Sequence, residues 1–199
     1  MRMRTRARVM VGVSVLLAEL SLYPGASRVQ AQSIDGGAHW AVPGSVGTVD
    51  ESSAAQVLLD QVKASVRPGA PAGTVVYLRY PISIVLQWVY QMDEFGPWAR
   101  GGYYKTLTFN MSFQKNEDAA LIVAGLRRVR LSDGENVLFT ALDNGSALPG
   151  AAVQQVSKTM TCEAGCFLSG YAYFVEVGLW KAKTTADPKL VSLGVTLMP

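Results

Sequence analysis

YYKTLTFNMSFQK, residues 103–115, decides the fold class. Leu107, Phe109, Met111 and Phe113 fall on one side of a period of two, and Thr106, Thr108, Asn110, Ser112 and Gln114 on the other. A one-residue slip in pairing would carry the whole apolar set into water, so the segment reads as a strand with one wet face.

The same period extends outward from it. In PISIVLQWVYQM, residues 81–92, Ile82, Ile84, Leu86, Trp88, Tyr90 and Met92 alternate with mostly polar neighbours. ALIVAGLRRVRL and ENVLFTAL flank Ser132-Asp133-Gly134, and Asp-Gly is a strong tight-turn signal. Asn144-Gly145 and Leu148-Pro149-Gly150 mark further turns. AVQQVSKTMT is a weaker strand, and Tyr171 to Lys181 with Leu190 to Met198 reads as a closing hairpin around TTADPK.

Upstream the period changes. Thr48 followed by Glu51 has the form of a capping box, and Ala55, Leu58, Leu59, Val62 and Val66 recur at helical spacing before Pro68-Gly69. The spacing predicts an amphipathic helix from about 50 to 66. With seven or eight strands and no helices between them, the fold class is mainly β. The expected architecture is an antiparallel β-sandwich or jelly-roll-like barrel with one N-terminal helix. An outer-membrane barrel fits less well, because few charges are available to line a water-filled lumen.

Residues 1–31 read as a signal peptide. Arg2, Arg4, Arg6 and Arg8 precede the apolar stretch Val9 to Ala18, and Val29-Gln30-Ala31 is a cleavage-like site. Glu19 and Pro24 end the apolar run short of a spanning helix. Residues 32–47, rich in Gly and Pro, read as an irregular arm, and 48–199 as a single β-rich domain. The expected location is secreted or periplasmic, in a bacterial style. Five of the 18 basic and one of the 15 acidic residues lie in the signal, so the rest carries 13 and 14. No basic stripe remains for a phosphate backbone, which argues against a nucleic-acid partner.

Cys162 and Cys166 are the only two cysteines. An oxidising destination favours one structural bridge, at the mouth of a β-hairpin. Three intervening residues and a following strand fit a redox pair poorly, and a zinc site needs about four ligands.

No nucleophile elbow, zincin, P-loop or dinucleotide motif occurs, so no cofactor is implied. A Ser-His-Asp triad would have to use His39, the only histidine. The carboxylate neighbours Asp93-Glu94 and Glu117-Asp118 sit at expected strand ends. The loop DEFGPWARGG, residues 93–102, is the candidate binding surface. Phe95 and Trp98, beside Asp93 and Arg100, suit stacking on sugar rings or anchoring a protein partner; the alternative is that they fold back over the sandwich. Trp40, Trp88 and Trp180 read as packing residues.

The sequence thus points to an exported, non-catalytic binding or assembly subunit, with a protein partner or self-assembly, or a carbohydrate, as its target. The arm at 32–47 would pair with another copy's sheet edge. The alternatives are a barrel-type enzyme on small extracellular or lipid-derived molecules, with Tyr77, Arg79, Tyr80, Tyr103 and Tyr104 lining its cavity, or a secreted toxin or effector component.

Overall fold

Alternation decides which side chains enter the interior. Along Thr74–Pro81 every second residue is buried, and along Thr106–Lys115 Leu107, Phe109, Met111 and Phe113 are buried while their neighbours stay half-exposed. Strands patterned this way bury one face each, and two such faces make a core. In the computed structural model, which describes residues 30–34, 37–82, 105–162, 166 and 170–198, they form a two-sheet antiparallel sandwich.

In chain order the strands are β1 (Gln30–Ile34), β2 (Gly37–Pro43), β3 (Thr48–Val49), β4 (Val57–Leu59), β5 (Ala64–Val66) and β6 (Thr74–Pro81). There follow β7 (Thr106–Lys115), β8 (Ala120–Arg130), β9 (Asn136–Asp143), β10 (Gly150–Thr161), β11 (Tyr171–Lys181) and β12 (Lys189–Met198). A seven-stranded sheet is built around β12. One edge of β12 pairs with β7, beyond which lies β10; the other pairs with β2 and, further along, with β5. β1 lies outside β2, and β4 outside β5. The facing five-stranded sheet runs β3-β6-β11-β8-β9. Between them pack Trp40, Leu78, Tyr80, Phe109, Met111, Phe113, Ile122, Leu126, Val177, Leu179 and Leu193, among others.

Several expectations need correction. Over 50–66 there is no amphipathic helix but a 3-10 turn, Glu51–Ser53, followed by β4 and β5. Leu58, Leu59 and Val62, on the expected apolar stripe, are exposed. Local carboxylates win over the helical period. Asp50 accepts from the Ser52 amide and hydroxyl at 3.0 and 2.7 Å, and Asp60 accepts from the Val62 and Lys63 amides at 2.9 and 2.6 Å. These bonds hold both carboxyls below the usual range and fold the backbone into turns, and β5 then pairs with β12.

The Gly/Pro-rich arm is not irregular: Gly37–Pro43 is a full strand of the larger sheet, paired with β12 in the same chain. The closing hairpin is also absent. β11 and β12 lie in different sheets, so the link between them arches over one end of the sandwich. There the Asn116 side chain donates to the Thr185 carbonyl at 2.7 Å and accepts the Asp187 amide at 2.7 Å.

The Asp133-Gly134 turn does form, with Gly134 at φ 76°, joining β8 to β9. At the far end of that hairpin Asn144 is buried. Its amide accepts from Ile122 N and donates to Ala120 O, both at 2.9 Å, continuing the ladder with a side chain.

Candidate functional site

The outer face of the five-stranded sheet is where this fold departs from a plain wet surface. Residues that alternate out of phase with the core stand on it in rows. Val75, Trp180 and Leu121 lie side by side; the next row is Tyr77, Gly178, Val123 and Asp143; then come Arg79, Glu176, Gly125 and Ala141. Arg127 opens the row after that. At about 6.6–6.8 Å per two residues, the tryptophan row and the glutamate row are about 13 Å apart.

Glycine carves the floor. Gly178 and Gly125 stand on adjacent strands and leave backbone exposed between larger neighbours. A β-carbon on Gly125 would lie 2.9 Å from Leu138 Cδ1, so Leu138 leans over that position. The result is a groove of about 590 Å³, in the range of small-ligand sites, lined by Tyr77, Val123, Leu138, Glu176 and Trp180 among others. Its walls hold large apolar groups in water: Tyr77 is 46% exposed, Trp180 45% and Val123 51%. An apolar patch of this kind on a sheet face marks a contact surface.

One end of the groove is charged. Arg127 Nε lies 2.8 Å from Glu176 Oε2, and Arg79 Nε lies 3.5 Å from Glu176 Oε1. The Arg127 contact is close but off the line of a hydrogen bond, so that buried Nε has Coulombic attraction without an aligned acceptor. At the other end Asp143 Oδ1 accepts from the Gly145 amide at 2.9 Å.

The opposite face of the sandwich is different in kind. Thr108 and Thr159 share a hydrogen bond of 2.9 Å, and His39 Nδ1 lies 2.7 Å from Thr196 Oγ1. Polar side chains there satisfy one another.

The expected site residues fall out as follows. Asp93, Phe95, Trp98 and Arg100 lie outside the described residues, as do Trp88, Tyr103 and Tyr104. Cys162 and Cys166 are bonded, with Cα atoms 5.0 Å apart. The bridge sits where the chain leaves β10 for the other sheet rather than at a hairpin mouth, because β10 pairs with β7 and β11 with β8 and β6. Tyr77 and Arg79 do not share a cavity with Tyr80: the pleat of β6 turns the first two outward and buries the third. The Tyr80 hydroxyl donates to the Gly44 carbonyl at 2.6 Å, and burial pushes its pKa well above the usual tyrosine value. Glu117 and Asp118 part company, Glu117 accepting from the Thr185 hydroxyl at 2.5 Å and Asp118 lying 3.3 Å from Lys115 Nζ. His39 faces Thr196, with no acid in contact among the described residues.

Trp180 is the residue that sequence reasoning misplaced. It was expected to pack in the interior; it stands on the groove wall. The signal was available, since Val175, Val177 and Leu179 take the inward phase of β11 and leave residue 180 outside. Among the described residues no group of three or more His, Cys, Asp or Glu is placed to hold a metal ion.

No family model and no curated protein matches the chain. Several solved structures are distantly similar to the chain. The xylan-binding module CBM15 has 13% identity, a TM-score of 0.41, and coverage of 86% of this chain and 97% of its own. The CBM22-1 xylan-binding domain from Paenibacillus barcinonensis has 9% identity, a TM-score of 0.41, and coverage of 87% and 97%. A cyclase from Fischerella sp. TAU has 10% identity, a TM-score of 0.42, and coverage of 84% and 79%. Likeness at this level does not assign a ligand.

Proposed function

We propose that the chain is an exported, non-catalytic module that binds a carbohydrate chain along the outer face of its five-stranded sheet. The observation that carries this is the exposed pair Tyr77 and Trp180, diagonal neighbours across the β6–β11 ladder beside the Gly178 floor. Sugar rings have apolar C–H faces and a hydroxyl rim. Aromatic walls supply stacking for the faces, and Glu176, Arg127 and Asp143 supply hydrogen-bonding groups for the rim.

Export is supported by the disulfide, which persists in oxidising compartments, and by the signal-like N-terminus. Cleavage after Ala31 would shorten β1 by its first two residues. No helix among the described residues is long and apolar enough to cross a membrane. Strand donation by residues 32–47 loses support, because β2 already pairs within its own chain. A protein partner keeps one observation in its favour, the exposed Val75, Val123 and Leu138 beside the aromatics.

The test is affinity electrophoresis and pull-down of the whole chain against a panel of neutral and acidic polysaccharides. Retention by at least one, weakened about tenfold or more by Trp180→Ala, as expected for a buried aromatic anchor, supports the reading. No retention by any member overturns it. So does a dimer that Trp180→Ala dissociates while glycan retention is unchanged, which would assign the face to a second copy of the chain.

A further inference from the structure

We infer that the sugar taken at the Arg127 end of the groove is acidic, a uronic acid whose carboxylate sits between Arg79 and Arg127. This rests on the carbohydrate reading above. The argument is one of hydrogen-bonding valence. Two guanidinium groups share a single carboxylate, Glu176, and each approaches it through Nε. The terminal nitrogens of both arginines, four N–H-bearing atoms in a planar fork geometry, have no acceptor among the described residues. Asp50 also acts electrostatically on Arg79, so what the cluster leaves open is hydrogen-bonding capacity at the guanidinium tips, and Arg127 Nε is buried without an aligned hydrogen bond. A ligand carboxylate entering the cluster takes charge-assisted hydrogen bonds from the terminal nitrogens.

The rest of the face says where the acid goes. Glu176 meets both arginines through Nε, which leaves their terminal nitrogens for a partner; Arg127 lines the groove, and Arg79 stands beside it in the row of Glu176. Asp143 lies toward the opposite end, in the row of Tyr77 and Val123, where it repels a second anion. The groove is therefore polar along its length, with an anion site at the Arg127 end and a stacking site at the Trp180 end. About 13 Å separates the Trp180 and Glu176 rows, which suits a chain carrying a uronate near a neutral sugar rather than a single small acid. A guanidinium fork takes a planar carboxylate in two-point geometry, and a sulfated competitor separates uronate from a sulfate ester.

The experiment uses matched polymers. The whole chain is titrated with glucuronoxylan and polygalacturonate, and with each after its uronates have been reduced to neutral sugars. Dextran sulfate serves as competitor. Expected is about tenfold or more weaker binding after carboxyl reduction, as for loss of a charge-assisted hydrogen bond. Salt raised from about 0.05 to about 0.5 M should weaken binding of the acidic forms and spare the reduced ones. Arg79→Gln and Arg127→Gln should each reproduce the loss on acidic polymers and leave the reduced polymers unaffected. Arg79 is largely exposed, so its variant folds whatever happens at Arg127.

Equal affinity for acidic and reduced forms overturns the acidic-sugar inference and leaves carbohydrate binding standing. Failure to bind any of the four polymers, or any glycan of the wider panel, overturns both. Full competition by dextran sulfate shows attraction to charge in general and overturns the uronate assignment.

Discussion

Tyr77 faces Gly178 across the β6–β11 ladder, and its Cε1 lies 3.5 Å from where a β-carbon on residue 178 would stand. The ring borders empty floor because residue 178 has no side chain. Gly178→Leu fills that floor. Glycine weakens strand interiors, so the variant should keep or slightly raise its melting temperature while losing glycan retention. Retained binding would place the ligand elsewhere.

Tyr80 makes the opposite use of the same strand. Its buried hydroxyl donates to the Gly44 carbonyl, and Gly44 is itself confined, since a β-carbon there would collide with the Leu190 carbonyl oxygen. Tyr80→Phe leaves that carbonyl unpaired and should cost about 1–3 kcal/mol in urea unfolding. Burial raises the folded-state pKa of Tyr80 above its unfolded value. Its contribution is therefore complete below about pH 10 and is lost as pH rises beyond. Wild type should lose stability in that window more steeply than Tyr80→Phe; equal slopes would show the hydroxyl to be unimportant.

The alternation of β7 and β11 was legible because each strand has one buried face, and period two is then the whole signal; β6 was not singled out, and the strand expected over 81–92 lies almost wholly outside the described residues. β3, β4 and β5 were not, since strands of two or three residues show no period. β2 was obscured by its glycine and proline; what makes it a strand is the edge of β12, far away in sequence. The apolar spacing at 50–66 looked helical until Asp50 and Asp60 fixed their turns. Of the site, the outward phase of Trp180 could be read from the chain. The rows that set Tyr77 beside Gly178 and Arg127 near Glu176 depend on cross-strand register, which a single sequence does not carry. The aromatic loop at 93–102, chosen from sequence as the binding surface, lies outside the described residues.

The Cys162–Cys166 bridge closes a short loop, with a sequence separation of 4. Cys162 N also donates to the Lys105 carbonyl at 2.8 Å, which continues the β7–β10 pairing. On the chain-entropy model the bridge is worth ~2 kcal/mol, or a fall of about 4–8 °C in melting temperature for the double Cys→Ser variant. Glycan binding should survive, because the groove lies on the other sheet. Loss of binding at a temperature where the variant is folded would tie the bridge to the site.

β10 pairs only with β7 among the described residues, which leaves it as an edge. Lys158 sits opposite buried Phe109, so it points to the core side of that edge while remaining exposed, and the pairing is irregular between Gly150 and Gln154. An inward charge and a bulge are devices against edge-to-edge association. Lys158→Val should self-associate in sedimentation velocity at concentrations where wild type stays monodisperse. Identical behaviour of the two would show that the edge is protected by something else.

The most direct test of the central claim is an amide-resonance titration of the whole labelled chain with the polysaccharide it retains best. The account predicts shifts concentrated at 75–79, 121–127 and 176–180, with those of Trp180 and Tyr77 among the largest. Shifts confined to 93–102, or to the threonine-rich face around Thr108 and Thr196, would contradict it.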